Sequence, residues 1–218
     1  MDLLKLIKQR KSIRAFIKEV PPRHLILECL EAAAWAPNPT SQQPWQFIVL
    51  SGDSLKKGSE VIKESYSGVA GKTAPQLTEK SGGSRILEQR KKENFSEMLG
   101  FLKEHNADMS SLGEGNFNFH QAPLAIIFAT YPYKDQNYLK STISAMQTFM
   151  LAATARGLGT CWANAVSIYQ ETLKKTLGLQ DELILVDGIS IGYPDLKAPI
   201  NNVPRHRLPI EQFVSWLE

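Results

Sequence analysis

Five consecutive residues, Arg10-Lys11-Ser12-Ile13-Arg14, put three cations and a hydroxyl within one short stretch. In an extended segment alternate side chains share a face, so Arg10, Ser12 and Arg14 would converge on one object. A phosphate suits such a receptor. Each guanidinium can give two parallel hydrogen bonds to phosphate oxygens, and a unit charge pair at about 4 Å is worth roughly 4 kcal/mol at an effective dielectric near 20. Taken alone, a basic run of this kind also reads as a solvated face. Near the other end of the chain, Arg205-His206-Arg207 places two more guanidiniums at alternate positions. If that segment is extended, both point the same way.

A third stretch supplies polar groups without charge. Between Ala36 and Trp45, three prolines forbid regular hydrogen bonding while Asn38, Thr40, Ser41, Gln42 and Gln43 offer amides and hydroxyls. This must be an ordered loop. It joins an apolar helix to a core strand, a natural place for a ligand, although Asn38 and Ser41 could equally cap the loop's own backbone.

Other chemistries find little support. Cys29 and Cys161 show no Cys-x-x-Cys spacing and read as buried free thiols. His24, His105, His120 and His206 lack the pairing that would suggest zinc, so no protein-held metal is expected. No Gly-x-Ser-x-Gly elbow occurs. Gly157-Leu158-Gly159-Thr160-Cys161-Trp162 begins like a dinucleotide fingerprint, but Trp162 stands at the third glycine and the order is helix then strand. A Rossmann site is therefore not indicated.

The elements that position these residues follow from periodicity. With 218 residues and 43% apolar content the chain reads as a single domain, 1–218, able to bury a full core. The net charge of +3 is small and dispersed, which argues against general nucleic-acid binding. No apolar run of about 18 residues occurs and the N-terminus lacks signal-peptide character, so no membrane contact and a cytoplasmic location are expected. A short helix over Leu3, Leu4 and Ile7 should end between Gln9 and Lys11, leaving the basic cluster at a helix-to-extended junction. A second helix, mostly buried, should run from Pro21-Pro22 to Trp35. Strands are predicted at Phe47 to Leu50, closed by a turn at Ser51-Gly52-Asp53, at Pro123 to Ala129, at Thr160 to Ala163 leading to Asn164, and at Leu183 to Ile191. The strongest helix spans Ser141 to Arg156, with Gly157 as its left-handed cap, and a short one spans Gln170 to Leu177. From about 55 to 116 the composition turns to Gly, Ser, Lys and Glu, with a spacer at Ser81-Gly82-Gly83-Ser84 and helical spacing only from Ile86 to Lys103. That stretch reads as an excursion, either a cover over a pocket or a plain surface insertion. The apolar tail, Leu208, Ile210, Phe213, Val214 and Trp216, needs something to pack on, and a partner subunit would serve.

In these motifs the chain resembles the nitroreductase-like flavoprotein family. The likeness rests on Arg10 to Phe16, Ala36 to Trp45, Leu151 to Ala153 with Gly157 to Trp162, Ile191 to Pro194, and Arg205 to Pro209, and it covers nearly everything outside 55–116. The resemblance implies an α+β fold with a central mixed, mostly antiparallel sheet flanked by helices. It further implies a homodimer with FMN at the subunit interface, NADH or NADPH as donor, and a C-terminal tail exchanged with the partner. By position, Arg10, Lys11, Ser12 and Arg14 match the family's phosphate and ribityl contacts, and Arg205 with Arg207 match the basic pair that completes the phosphate site. Asn38, Ser41 and Gln43 match a loop that reaches the flavin from the neighbouring subunit. Asn164 and Ala165 match the segment beside the reactive edge of the ring. The family commonly has Asn where this chain has Ser41 and Ser where it has Asn38, and the shorter hydroxyl reaches less far. No catalytic acid or base is named, because the cofactor carries the chemistry. The function implied is hydride transfer from the nicotinamide to FMN and then to a small acceptor such as a nitroaromatic or quinone, with ping-pong kinetics. Alternatives are a non-catalytic flavin-binding protein, a specialised flavin-fragmenting or dehalogenating member, and an unrelated phosphate-binding or nucleic-acid protein.

Overall fold

Strand β2 (Leu124–Thr130) is buried at every position and organises the core. Its alternate residues divide between two layers. Leu124, Ile126 and Phe128 join Phe149, Met146 and Ile26 on one face, while Ala125, Ile127 and Ala129 join Leu50, Ile62 and Leu173 on the other. The computed structural model describes residues 2–69, 85–107, 112, 114–132 and 136–217, and the expected spacer at 81–84 lies outside them.

The four strands, β1 (Trp45–Ser51), β2, β3 (Gly159–Ala163) and β4 (Ile184–Gly192), form an open sheet in the order β1-β2-β4-β3 with every pair antiparallel. Among the described residues, parallel character enters only where Ser12 bridges Thr160 beside β3. Helices α2 (Arg23–Ala33) and α5 (Asn137–Ala155) cover one face, packing through the small residues Ala33, Ala145 and Ala153. The other face is covered by α3 (Gly52–Val69), α6 (Ala165–Ile168) and α7 (Gln170–Leu177). Helices α1 (Leu3–Gln9) and α4 (Arg85–Glu104) lie outside these layers. The expected α+β architecture is therefore present, with helices on both sides of an antiparallel sheet.

Most expected elements appear close to their predicted bounds. Gly157 and Gly178 close α5 and α7 at φ of +75° and +64°, as a residue without Cβ allows. Two expectations need correction, at Gly52 and in α2. In place of a turn at Ser51-Gly52-Asp53, the chain passes at Gly52 straight into α3, an 18-residue helix that periodicity did not reveal because few of its residues are strongly apolar. One of them, Ile62, is fully buried. Helix α2 buries only the stripe Ile26, Cys29 and Ala33 and exposes Leu27. In α1, Leu6 is the buried residue, while Leu3, Leu4 and Ile7 face outward.

Candidate functional site

The two ends of the chain meet along the free edge of β3. After α1 stops at Gln9 the backbone extends, and Ile13 N donates to Thr160 O at 2.8 Å. Ile13 packs so closely on Gly159 that a Cβ there would lie 2.7 Å from its side chain. Glycine is thus required for the strand to be approached from this side. Beyond it, Asp195 N donates to Ala15 O at 3.0 Å and Ile17 N to Tyr193 O at 3.1 Å, so residues 10–17 follow β3 and then the segment after β4.

Asn201 locks this arrangement. It is 2% exposed; its Oδ1 accepts from Arg14 N (2.7 Å) and Ala15 N (3.2 Å), and its Nδ2 donates to Ala15 O (2.7 Å) and Asp195 O (2.8 Å). Its carbonyl oxygen accepts from Lys11 Nζ. A few residues on, Arg205 donates to Lys8 O at 2.8 Å and to Arg10 O, satisfying carbonyls that the end of α1 leaves unpaired.

Between these segments opens a cleft of about 400 Å³ lined by Arg10, Lys11, Ser12, Arg14, Asn201, Arg205 and Arg207, with α4 forming the opposite wall. Like charges crowd there. Burial, then Arg205 and Arg207, lowers the pKa of Arg10, and burial, then Arg205, lowers that of Lys11. An anion in the cleft would relieve both. Buried within reach of Arg14's charge, by contrast, lies a neutral pair. His120 has Nδ1 3.2 Å from Ser190 Oγ and Nε2 3.5 Å from Cys161 Sγ. Burial, reinforced by Arg14, pushes the imidazole down to about 4. Burial raises the Cys161 thiol, against the opposing pull of Arg14, a hydrogen bond with Ser12 and Arg10. On the cationic rim, Arg10 and Arg14 are both free of side-chain hydrogen bonds among the described residues.

The sequence model of the Nitroreductase family matches residues 7–193. The chain belongs to this family. Similar proteins include the 4-nitrobenzoate reductase of Nocardioides sp. (strain LMS-CY), 26% identical over 97% of this chain and 88% of the relative. The chloronitrobenzene nitroreductase of Comamonas testosteroni is also 26% identical, over 97% of this chain and 95% of that one. Among solved structures, the FMN and NADPH-dependent nitroreductase NfnB from sphigopyxis sp. strain HMH superposes with a TM-score of 0.85 at 21% identity, with 100% of both chains covered. Likenesses at that identity establish the fold.

In this nitroreductase-family chain the remaining expected site residues fall outside the cleft. Asn38 Oδ1 accepts from Gln43 N at 2.8 Å and its Nδ2 donates to Ala36 O at 3.2 Å, so its amide caps its own loop. Ser41 and Gln43 are exposed, at φ of +52° and +48°. Sparsely populated backbone of this kind persists where surrounding structure enforces it, here the prolines and the hydrogen bond from Thr130 Oγ1 to Pro44 O at 3.1 Å. Asn164 is exposed at the far end of β3, and Ala165 is buried at the start of α6. Asp187 fixes that turn by accepting from Trp162 Nε1 and Ser167 Oγ, both at 2.7 Å. From Thr160 to Asn164 the strand spans four steps, about 13 Å at strand rise.

Several residues of the site carry no mark in the sequence. Asn201 sits in a stretch of Pro, Ala and Asn with no signal beyond composition. Asn116 Nδ2 donates to Asn164 Oδ1 from 48 residues away, so only the fold joins them. Lys91, Asn94, Phe95 and Met98, at 3/4 spacing on α4, line the cleft. The helical spacing over Ile86 to Lys103 marked Phe95 and Met98 but not Lys91 or Asn94, and not what the helix faces. No helix among the described residues is long and apolar enough to cross a membrane.

Proposed function

We propose that this protein is an FMN-dependent NAD(P)H oxidoreductase that reduces a small electron-poor acceptor, a nitroaromatic or a quinone. One observation carries the reading: guanidiniums from residues 10 and 14 and from residues 205 and 207 meet in one cleft. The fit to a flavin phosphate rests on that rim. Arg10 and Arg14 keep their hydrogen-bonding edges free, the rim's cations repel one another, and the buried neutral pair His120 and Cys161 adds no competing negative charge near Arg14.

Arg10, Ser12 and Arg14 would hold the phosphate directly, with Arg207 closing the rim from its outer side. Lys11 and Arg205, tied to backbone carbonyls, would add charge and keep the rim in place. The β3 edge, running from Ser12 to Asn164, suits a ribityl chain with the ring at the Asn164 end. Bound there, FMN would supply the redox chemistry that links a reduced nicotinamide to the acceptor. The protein's share is to hold, orient and shield, with the Asn164 amide, anchored by Asn116, as a polar group beside the proposed ring position.

We read the protein as a homodimer with the tail embracing its partner. Trp216 and Leu217 are 87% and 96% exposed, and Leu3, Leu4 and Trp35 also lie open. The loop bearing Asn38, Ser41 and Gln43 does not line its own chain's cleft, which suits a contribution to the neighbour's flavin. Relatives named as nitrobenzoate and chloronitrobenzene reductases favour an aromatic nitro acceptor.

The test is direct. Purified protein should be yellow, release FMN on denaturation, bleach on anaerobic addition of NADPH or NADH, and show ping-pong kinetics. Colourless protein that takes up no FMN refutes the reading, and bound flavin that NAD(P)H cannot bleach favours a non-catalytic flavin carrier.

A further inference from the structure

The cleft carries more positive charge than one phosphate can balance. Among the described residues, Arg10, Lys11, Arg14, Lys91, Arg205 and Arg207 line it against one carboxylate, Glu97, which already lies 2.8 Å from His206. Six cations less one anion leave +5 with His206 neutral, and a phosphate dianion brings this to +3. The surplus has a location. Arg10, Lys11, Ser12 and Arg14 are half-buried at the inner end, whereas Lys91, Asn94, Phe95 and Arg207 are exposed at the outer end. Among the described residues Lys91 has no hydrogen-bond or ion-pair partner.

The outer end also has a shape. Phe95, half-exposed beside Met98, offers an aromatic face, Asn94 an amide, and Lys91 with Arg207 two charges. An aromatic surface flanked by an amide and two cations is suited to a phosphorylated purine nucleoside: the ring stacks, the amide meets its edge, and the cations take the phosphate.

We infer that this outer end docks the adenosine 2′-phosphate of NADPH, and that Lys91, helped by Arg207, selects NADPH over NADH. The inference rests on the proposed reading that the inner end holds the FMN phosphate. A 2′-phosphate offers Lys91 and Arg207 a dianion; the ribose hydroxyl of NADH is neutral there and leaves the surplus unbalanced. Helix α4 is then the selective wall of the donor site, placed by the 2.8 Å hydrogen bond between Glu97 and His206 and the hydrogen bond from Arg90 to Gln212 (3.3 Å).

The experiment titrates FMN-loaded protein with adenosine 2′,5′-bisphosphate and with 5′-AMP, by calorimetry at low and high salt. The bisphosphate should bind about tenfold more tightly, with an advantage that shrinks as salt rises. Lys91→Glu should abolish that advantage without changing FMN affinity, and Phe95→Ala should weaken both nucleotides alike. Equal binding of the two nucleotides to wild-type holoprotein, or a preference that survives Lys91→Glu, overturns the inference and leaves the flavin reading intact. A wild-type chain that takes up no FMN overturns both.

Discussion

Asn201→Ala isolates the contact that brings the chain ends together. The side chain makes four backbone hydrogen bonds of 2.7 to 3.2 Å. Ala15 O keeps a second donor, Asp195 N at 3.0 Å, after truncation. Arg14 N, Ala15 N and Asp195 O lose the amide that satisfied them. At about 1 kcal/mol for each stranded group, and somewhat more where water cannot enter, the loss should be about 2–4 kcal/mol. For a chain of this size that lowers the melting temperature by about 5–12 °C. Because Arg14 N is one of the freed groups, the guanidinium loses its anchor and FMN should bind more weakly as well. Urea unfolding of the apo protein measures the first effect, and fluorescence titration with FMN the second. In wild type, FMN at about 100 times its Kd should add about 2.7 kcal/mol, and the same concentration should add less in the variant. An apo variant within about 0.5 kcal/mol of wild type, with unchanged flavin affinity, would refute the role given to Asn201.

The two kinds of arginine should separate. Arg14→Ala should weaken FMN binding by about 30-fold or more, one charge-assisted contact of about 2 kcal/mol, with unfolding unchanged. Arg205→Ala should lower apo stability by about 1–2 kcal/mol through the carbonyls of Lys8 and Arg10. Equal effects on both readouts would contradict the geometry. Gly159→Ala places a Cβ against Ile13 and should cost about 1–3 kcal/mol together with flavin affinity; unfolding curves that overlay wild type would show that Ile13 does not sit there. His120, near 4 when folded and about 6.5 when unfolded, binds more protons in the unfolded chain between those values. Stability should therefore be highest above pH about 6.5 and fall by up to about 3 kcal/mol as pH drops to about 4. His120→Gln should flatten that slope, and identical slopes in the two proteins would remove His120 as its source.

What could be read in advance follows from the range of the forces involved. The strand at 124–130 and the helix at 137–155 announce themselves because burial imposes a short period on neighbouring residues, and Gly157 marks a stop by its own backbone freedom. Helix α3 escaped because its buried face needs few large side chains, Ile62 among them, while its lysines, serines and glutamates resemble an exposed insertion. The cationic cleft was partly legible for a different reason. Arg10, Ser12 and Arg14 alternate, as do Arg205 and Arg207, so each cluster advertises its own convergence without any knowledge of the fold. That the two clusters share one cleft came only from the family resemblance, because nothing local joins them.

The contact that does join them lies beyond any reading of side-chain pattern. Asn201 reaches Arg14 across 187 positions of chain, and its four partners are backbone groups, which every residue possesses. No pairing of residue types could therefore mark it. The same reasoning separates Arg205 from Arg14. Alternation predicts which way each side chain points but not what it meets. Arg205 finds the carbonyls at the end of α1 and becomes part of the scaffold, whereas Arg14, held by its backbone N–H, keeps its guanidinium for the cleft.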